Sequence, residues 1–581
     1  MTTNRFLPSY FLILVVVTLL SGCASLSKQE PTPTEQNKST PDEQVITRPF
    51  PTQSLYSLLV AELAGQRNRY DIFLGNYMQQ AHQTRDPNVA ERATQIARYL
   101  KADQATLDAA LLWSDIAPKN AEAQQIAATQ LAKAGRVAEA ASKIALLLEM
   151  GADVQSHNIT LMALKTSKEN RQEYELEIDK LLLKYPANIS LMLSKSLLLQ
   201  SDGKNEDSLK YINQVLDLDE NNFHATILAA KVYEQLDNRA AAIKVLEKAL
   251  RRNPKNDRIR VQYARLLSTF DTAKAQEQFT LLLSQAPGDP SLILSLALVK
   301  KENGLFEEAK KLFEQLLKMD KLASTANYYL GVIAAEEGHT ELALSLFEKI
   351  QDGPDLFAAL ASWGKILLKE DKIRPFSQRF EEMRELHPRL EAKLYLLEAE
   401  LLVEFDKHSI AYDLLSTALE SNSMDTNLLY ARSMVSEQMD DIPAAEQDLR
   451  LIILSQPSSA DALNALGYTL ANKTDRLQEA KELIERALAI RPDDPAIMDS
   501  MGWVEFRMGN YESSLLRLRN AFAEFPDHEV AAHLGEVLWA ASQFDEAKKV
   551  WQQGLQLSPN SKVIEEVMRR LAPTEASKMF K

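Results

Sequence analysis

The chain has 581 residues, of which 45% are hydrophobic and 25% are charged, and its formal net charge is −15. It holds 17 glycines against 22 prolines, and phosphate loops and strained catalytic turns depend on glycine, so the composition argues against a nucleotide-binding fold. An acidic chain without a basic block lacks the clustered Lys and Arg that neutralise nucleic-acid phosphates. One cysteine excludes internal disulfides and thiolate zinc sites.

The chain opens with an apolar segment. Residues 1–22 contain a single charged side chain, Arg5, and their apolar run is shorter than the roughly 20 helical residues that span a bilayer. The run ends at Leu20-Ser21-Gly22-Cys23, which resembles the lipobox of bacterial lipoproteins. The resemblance implies that 1–22 is a signal peptide and that Cys23 is acylated, with Ala24 directing the protein to the outer membrane. An ordinary export signal with an incidental cysteine is the alternative.

Residues 23–53 are expected to form the acylated cysteine and a disordered tether. The segment is rich in Ser, Thr, Gln, Asn and Pro and has few apolar side chains, a composition typical of flexible linkers. We therefore expect a protein that is lipid-anchored at the outer membrane and faces the periplasm.

Prolines recur along the rest of the chain at intervals close to 34 residues or twice that. Because proline cannot continue a helix, this regular spacing predicts that a helix ends at the same point of each unit. The unit before Pro526 reads as a helix over 496–508, a Gly509-Asn510 turn and a second helix over 511–523. The prolines that set the spacing are Pro118, Pro186, Pro254, Pro287, Pro354, Pro388, Pro457, Pro492, Pro526 and Pro559.

Small and large residues also recur with the prolines. A small residue in the first helix marks the place where two helices approach closely, as at Gly331, Gly467, Gly502 and Gly535. In the second helix an alanine is followed four positions later by a large apolar residue on the same helical face. These pairs include Ala242 with Leu246, Ala309 with Phe313, Ala343 with Phe347, Ala480 with Ile484 and Ala547 with Trp551.

This pattern resembles the tetratricopeptide repeat. The resemblance implies an all-α, right-handed solenoid of about 15 helical hairpins, each too small to bury its apolar face alone. We divide it into N-terminal repeats at 54–150, central and partly degenerate repeats at 151–455, well-formed C-terminal repeats at 456–571 and a tail at 572–581. The weak units near 156–184 and 392–420 keep the repeat length, so they are interpreted as degenerate repeats. Binding is the usual role of the concave surface of such an array.

No catalytic constellation is found in the sequence. His528 and His533 are five residues apart, whereas a zinc-binding pair on one helical face needs a spacing of four. We therefore predict no metal, no cofactor, no catalytic residue, no small-molecule substrate and no nucleic-acid partner, and we expect a protein that is not an enzyme.

Aromatic side chains near the C-terminal end are the first candidate binding residues. Their spacing places them on stripes of successive first helices, in a phase that faces the concave groove of tetratricopeptide solenoids. Partly exposed aromatics are frequent interface anchors, although the same rings could simply pack between adjacent repeats. The candidates are Asn464, Tyr468, Asp499, Trp503, Phe506 and Trp539.

Arginines near the N-terminal end are the second candidate group. The segment 62–101 is basic within an otherwise acidic protein, and a basic face could dock an acidic partner. It could equally be an ordinary solvated face. The candidates are Arg67, Arg69, Arg85, Arg92 and Arg98.

A closer resemblance concerns both ends of the repeat region. Segments at 59–67, 84–92, 462–470, 499–503 and 528–538 are similar to a group of tetratricopeptide lipoproteins of Gram-negative bacteria, typified by the binding partner of the periplasmic carboxy-terminal processing protease. The resemblance implies an adaptor that holds this protease at the outer membrane and presents cell-wall hydrolases to it, which would limit the cleavage of peptidoglycan cross-links. A scaffold or activator for a peptidoglycan synthase or an envelope export machine is the main alternative, and an enzyme with an unrecognised site is a third possibility.

Overall fold

The structure, a computed structural model, describes residues 50–580. The predicted signal peptide, Cys23 and all but the last residues of the predicted tether lie outside the described residues. Within 50–580 the secondary structure is helical, with 32 α-helices and one short 3-10 helix at Pro388–Leu390. Among these described residues no helix combines the length and apolarity needed to cross a membrane.

The described residues divide into two compact units, 50–315 and 316–580. The N-terminal unit contains α1 (Thr52–Gln66), α2 (Tyr70–Thr84), α3 (Pro87–Tyr99), α4 (Asp103–Ile116), α5 (Ala121–Lys133), α6 (Val137–Glu149), α7 (Ser156–Ala163), α8 (Lys168–Lys184), α9 (Ile189–Ser201), α10 (Asn205–Leu218), α11 (Phe223–Gln235), α12 (Arg239–Arg252), α13 (Asp257–Leu267), α14 (Thr272–Gln285) and α15 (Pro290–Glu302). The division between the units falls within α16 (Phe306–Lys318).

The C-terminal unit contains α17 (Ala323–Glu336), α18 (Thr340–Glu348), α19 (Leu356–Lys369), α20 (Ile373–Leu386), α21 (Glu391–Glu404), α22 (His408–Ser421), α23 (Thr426–Gln438), α24 (Ile442–Ser455), α25 (Ala460–Lys473), α26 (Leu477–Ile490), α27 (Pro495–Arg507), α28 (Tyr511–Glu524), α29 (His528–Ala540), α30 (Phe544–Leu557), α31 (Lys562–Leu571) and α32 (Pro573–Met579). Within each unit most helices pack in chain order as hairpins, with an odd-numbered helix preceding its even-numbered partner. The short α7 is an exception, since it packs mainly on α5 and α9 rather than on α8.

The prolines act as the sequence predicts. Helices α4, α8, α26 and α30 each end two residues before a proline of the regular series. Two residues after such a proline, a short polar side chain often caps the next helix, as Asn120 caps α5 by accepting a hydrogen bond from the Ala123 N–H. Each repeat boundary therefore combines a stop for one helix with a start for the next.

The predicted close approach between paired helices is confirmed. A Cβ atom added at Gly467 would lie 2.5 Å from the Ile484 side chain, and one at Gly535 would lie 2.1 Å from Nε1 of Trp551. Ile484 and Trp551 are large residues of the alanine-plus-four pattern, and both are fully buried. The glycine of the first helix thus makes room for the large residue of the second.

The weak units are helical as well. The segment interpreted as a degenerate repeat near 156–184 forms the short α7 and the longer α8, and the one near 392–420 forms most of α21 and α22. The tail is not extended throughout, because α32 lies within it and Ala572 and Ala576 are buried in the C-terminal core.

Candidate functional site

A groove of about 610 Å³ lies in the C-terminal unit. It is formed by the first helices of five successive hairpins, α23, α25, α27, α29 and α31. The lining residues are Tyr430, Met434, Glu437, Gln438, Ala465, Tyr468, Asn472, Lys473, Trp503, Phe506, Arg507, Glu529, His533, Glu536, Val563, Glu566, Val567 and Arg570. Within the described residues, all of this lining comes from first helices, whereas the second helices α24, α26, α28 and α30 contribute none of it.

One position recurs in the lining of this groove. The residue eight places after the first residue of each contributing helix lines it in all five hairpins. In chain order these residues are Met434, Tyr468, Trp503, Glu536 and Arg570. The repeat therefore places these five equivalent positions side by side in the groove. Their side chains are apolar or aromatic on α23, α25 and α27 and charged on α29 and α31.

Three of the six groove candidates line the groove. Tyr468 and Phe506 are half-buried there, and Phe506 packs against Trp503 with ring centroids 5.3 Å apart. Asn464 and Asp499 are buried and lie outside the lining. Asp499 nevertheless contributes to the groove, because it bonds to His533, which lines the groove.

The expected partial exposure of Trp503 is wrong. Its side chain lines the groove, yet it is only 8% exposed. The indole stacks on the His533 ring with centroids 4.6 Å apart, and Phe506 covers another side. The Trp503 Nε1–H is buried without an acceptor among the described residues. Trp503 thus belongs both to the packing between repeats and to the groove wall.

Trp539 is misplaced by the sequence reasoning. It lies outside the groove lining, and its ring packs against Phe544 at 4.7 Å and Trp551 at 5.6 Å. The Trp551 side chain fills the hairpin core beside Gly535, and Trp539 packs against it while remaining half-buried.

His533 is the central residue that sequence reasoning missed. Its Nδ1 lies 3.0 Å from both carboxylate oxygens of Asp499, and its Nε2 lies 3.3 Å from the Tyr468 hydroxyl. Asp499 precedes His533 by 34 residues, which is one repeat, so the two occupy adjacent hairpins. Pairing polar residues one repeat apart would have been the signal to find this cluster.

The His533 pKa is raised above its ordinary value. Burial is the largest single influence and lowers the pKa, but the charge and hydrogen bond of Asp499, helped by Glu529 and Glu536, outweigh it. A protonated imidazole donates from both nitrogens, which fits the positions of Asp499 and Tyr468. The groove floor therefore contains a buried histidine–carboxylate pair beneath its aromatic wall.

The cations of the groove are bound to oxygen atoms of the protein. Lys473 lies 2.6 Å from Asp440, and Arg570 lies 2.7 Å from Glu536. Arg507 donates to the carbonyl oxygens of Ala471 and Asn472 at the end of α25, where helix carbonyls lack intrahelical partners.

His528 and His533 do not converge. His528 Nδ1 lies 3.0 Å from the Ser561 hydroxyl, whereas His533 bonds to Asp499. Within residues 50–580 there is no cluster of three or more His, Cys, Asp or Glu side chains able to hold a metal ion.

The N-terminal arginines do not form one cluster. Three are ion-paired on the surface: Arg69 with Asp71, Arg85 with Asp115 and Arg92 with Glu62. Arg98 lies beside Lys101 and Lys133 in a shallow depression of about 390 Å³, and Arg67 is exposed just after α1.

Comparison with known proteins decides the family. Tetratricopeptide-repeat family models match residues 223–266, 294–356, 430–495 and 500–561. TPR repeat-containing protein PA4667 of Pseudomonas aeruginosa is 40% identical over 530 residues, which is 90% of each chain. The chain belongs to the tetratricopeptide-repeat family. Such repeats form scaffolds for protein–protein interaction.

Other similarities are more limited. The bacteriophage adsorption protein A of Escherichia coli is 33% identical over 82 residues, covering 14% of this chain and 8% of that protein. The crystal structure of yeast Tom70 has a TM-score of 0.33 and 13% identity, covering 91% of this chain and 99% of that chain.

The first helix of this tetratricopeptide array has an unusual surface that the sequence analysis did not single out. Terminal repeats usually present a polar outer face to water, but α1 contains a single charged residue, Glu62. Leu55, Leu59 and Leu63 follow one another at four-residue spacing and are 63%, 58% and 44% exposed. Tyr56 is equally exposed beside Leu55. We call Leu55, Tyr56, Leu59 and Leu63 the α1 stripe.

Proposed function

We propose that the protein is a non-enzymatic, lipid-anchored adaptor of the outer membrane that binds a periplasmic carboxy-terminal processing protease and presents cell-wall hydrolases to it. Membership of a scaffold family supports the general role. The resemblance of both ends to lipoprotein partners of such proteases supports the specific one. The observation that carries the proposal is the groove built by five successive hairpins, because it offers a protein segment both apolar and charged contacts.

An adaptor needs separate surfaces for its two partners, and the chain offers two of different chemistry. The groove is concave, and its aromatic wall is largely buried. The α1 stripe is exposed apolar area on a single helix, flanked by the exposed Arg67 and Arg69. Contiguous exposed apolar side chains commonly mark interaction surfaces.

The N-terminal surface is assigned to the protease. The arginines alone give weak docking, since three of them are ion-paired within the chain and exposed pairs contribute at most about 1 kcal/mol. Burial of a leucine such as Leu59 contributes more, about 1.5–3 kcal/mol for a whole side chain. The α1 stripe would supply affinity, and the neighbouring arginines would orient an acidic partner.

The groove is assigned to the client protein. Tyr468 and Phe506 are half-buried and line it, so their remaining exposed area is available to a bound segment. Loss of one aromatic anchor from an interface typically costs about 2 kcal/mol or more, or a factor of about 30 in affinity.

Pull-down with the purified chain from an envelope extract, followed by mass spectrometry, tests the identity of the partners. Recovery of a carboxy-terminal processing protease together with cell-wall hydrolases supports the proposal. Recovery of a peptidoglycan synthase or of export-machine subunits in their place supports the alternative scaffold and contradicts the adaptor.

Variants then assign the surfaces. Leu59→Ser should reduce protease recovery strongly and leave the melting temperature within about a degree, because an exposed leucine contributes little to folding. Leu454→Ser is the matched control, since Leu454 is 76% exposed on the second helix α24. Equal protease recovery with Leu59→Ser and the parent would contradict docking on α1.

The lipid anchor is tested separately. Cys23→Ser should abolish labelling with palmitate and release the chain from the membrane fraction. A Cys23→Ser variant that labels and fractionates like the parent would contradict the anchor.

A further inference from the structure

The groove in the C-terminal unit has an asymmetric charge that bears on what it binds. Its lining contains four carboxylates, those of Glu437, Glu529, Glu536 and Glu566, against three Lys or Arg side chains. The buried Asp499 carboxylate lies against His533 and balances its charge when the imidazole is protonated. The lining is therefore acidic, as is the chain as a whole.

The three cations are already bound within the protein. Lys473 and Arg570 have carboxylate partners, and Arg507 holds carbonyl oxygens at the end of α25. A ligand carboxylate would have to compete with these contacts and would meet like charges nearby. Recognition of an acidic segment or of a chain's terminal carboxylate is thus disfavoured.

The carboxylates concentrate at one end of the groove. Glu529, Glu536 and Glu566 belong to α29 and α31, where Arg570 balances only Glu536. Met434, Tyr468, Trp503 and Phe506 belong to α23, α25 and α27. Glu566 is exposed and has no ion-pair partner anywhere in the described part of the chain. The apolar end suits an apolar side chain, and the acidic end suits a cation.

We propose that the groove binds a protein segment that carries an apolar or aromatic anchor followed by lysine or arginine. The anchor would contact Tyr468 and Phe506, and the cation would lie beside Glu566, where Glu529 and the Glu536–Arg570 ion pair leave a net negative charge. This rests on the proposed function in that it names the chemistry of the client segment at the same groove.

The spacing within the client follows from the helix packing. The axes of neighbouring packed helices lie about 8–10 Å apart. Because only α29 lies between the first helices α27 and α31, these two are separated by at most twice that distance. An extended chain advances about 3.3 Å per residue. An anchor at α27 therefore places a cation at α29 or α31 when the two are separated by about three to six residues.

Fluorescence anisotropy with the purified full chain tests the charge preference. The probes are three fluorescein-labelled peptides of equal length, each with one tryptophan anchor and, four and five residues later, a pair of Lys, Gln or Glu residues. The Lys peptide should bind at least tenfold more tightly than the Glu peptide, with the Gln peptide between them. This preference should shrink in 0.5 M salt, because screening weakens exposed charge interactions.

Single variants locate the effect. Glu566→Gln should lower the affinity for the Lys peptide about threefold or more and leave the Gln peptide unaffected. Glu565→Gln is the matched control, because Glu565 is the adjacent residue on α31, is absent from the groove lining and bonds to Arg569. A control that behaves like Glu566→Gln would contradict the assignment of the acidic end.

The outcomes separate this inference from the proposed function. If all three peptides lose affinity with Phe506→Ala but the Glu peptide binds as tightly as the Lys peptide, the charge inference is wrong and the groove remains the binding site. If none of the three peptides binds below millimolar concentration, or if Phe506→Ala changes nothing, the groove assignment fails as well.

Discussion

The C-terminal groove and the N-terminal α1 stripe differ in how they hold their apolar side chains. Trp503 in the groove wall is 8% exposed and stacks on His533, whereas Leu55 on α1 is 63% exposed. Hairpins on both sides bury the groove residues, whereas within residues 50–580 no helix precedes α1. Position in the stack therefore decides whether a binding residue also supports the fold.

The two units also treat buried histidines in opposite ways. The ring centroids of His157 on α7 and His224 lie 4.5 Å apart. Burial is the main cause that lowers the His157 pKa to about 4, and the charge of His224 is the second. His533 lies against Asp499, and its pKa is raised. Asp499 comes from the hairpin that precedes that of His533, whereas His224 on α11 comes from the second hairpin after that of His157. In both places the neighbour of the histidine belongs to another repeat.

The largest expected effect tests the burial of the groove wall. Trp503→Ala should lower the free energy of unfolding by about 3 kcal/mol or more, because it leaves a cavity beside His533 and Phe506. Trp503→Phe should cost much less, since the lost Nε1–H has no acceptor among the described residues. Chemical denaturation of both variants checks this, with the exposed Leu59→Ala as control. A Trp503→Ala variant as stable as Leu59→Ala would contradict the distinction between the two surfaces.

The next effect concerns His157 and acid. Its pKa of about 4 in the folded chain lies below the ordinary 6.5, so the unfolded chain binds the proton more tightly. Its contribution is complete above pH 6.5 and is lost as the pH falls from 6.5 to 4. The total is at most about 3 kcal/mol, because solvent screens part of the interaction at this incompletely buried ring. His157→Gln should therefore flatten the loss of stability over this window. If the free energy of unfolding of parent and variant depended on pH in the same way, this role of His157 would be refuted.

A smaller effect tests the close contact beneath the groove. Gly502→Leu should destabilise the chain by about 1–3 kcal/mol through overpacking, since a Cβ there would lie 2.6 Å from the Leu518 side chain. Gly75→Ala is the N-terminal control, because a Cβ at Gly75 meets nothing within 4 Å. Thermal melts compare the two, and equal melting temperatures would count against the packing account.

The smallest effect concerns His533. Its folded pKa is raised, so its stabilising contribution is complete below pH 6.5 and is lost as the pH rises through the folded value. Each pKa unit corresponds to about 1.4 kcal/mol. Asp499→Asn should remove this dependence, and melts between pH 6 and 9 measure it. A variant that keeps the parent's alkaline loss of stability would show that another group titrates.

The fold could be predicted because its helix boundaries and helix contacts depend on residue types that recur along the sequence. Proline ends helices, and glycine opposite a large apolar residue marks the close approach of two helices, as at Gly467 and Ile484. The same frame places Tyr468, Trp503 and Phe506 in the groove lining. These features repeat, so each is seen several times in one chain.

The features that escaped sequence reasoning depend on which side chains meet. His533 matters because Asp499 faces it from the preceding hairpin, and Trp539 lies outside the groove because it packs against Trp551 within its own hairpin. The α1 stripe is exposed on the first of the described helices. The spacing of residue types along the chain shows none of these contacts.

Parallel capture of both partners tests the central claim most directly. The parent, Phe506→Ala and Leu59→Ser, each with its melting temperature measured, are incubated with an envelope extract, and the recovered protease and hydrolases are quantified. When the protease and the hydrolases do not bind each other directly in the extract, we expect Phe506→Ala to recover the protease but not the hydrolases. We expect Leu59→Ser to recover the hydrolases but not the protease. Folded variants that lose both partners together, or neither, would contradict two separate binding surfaces.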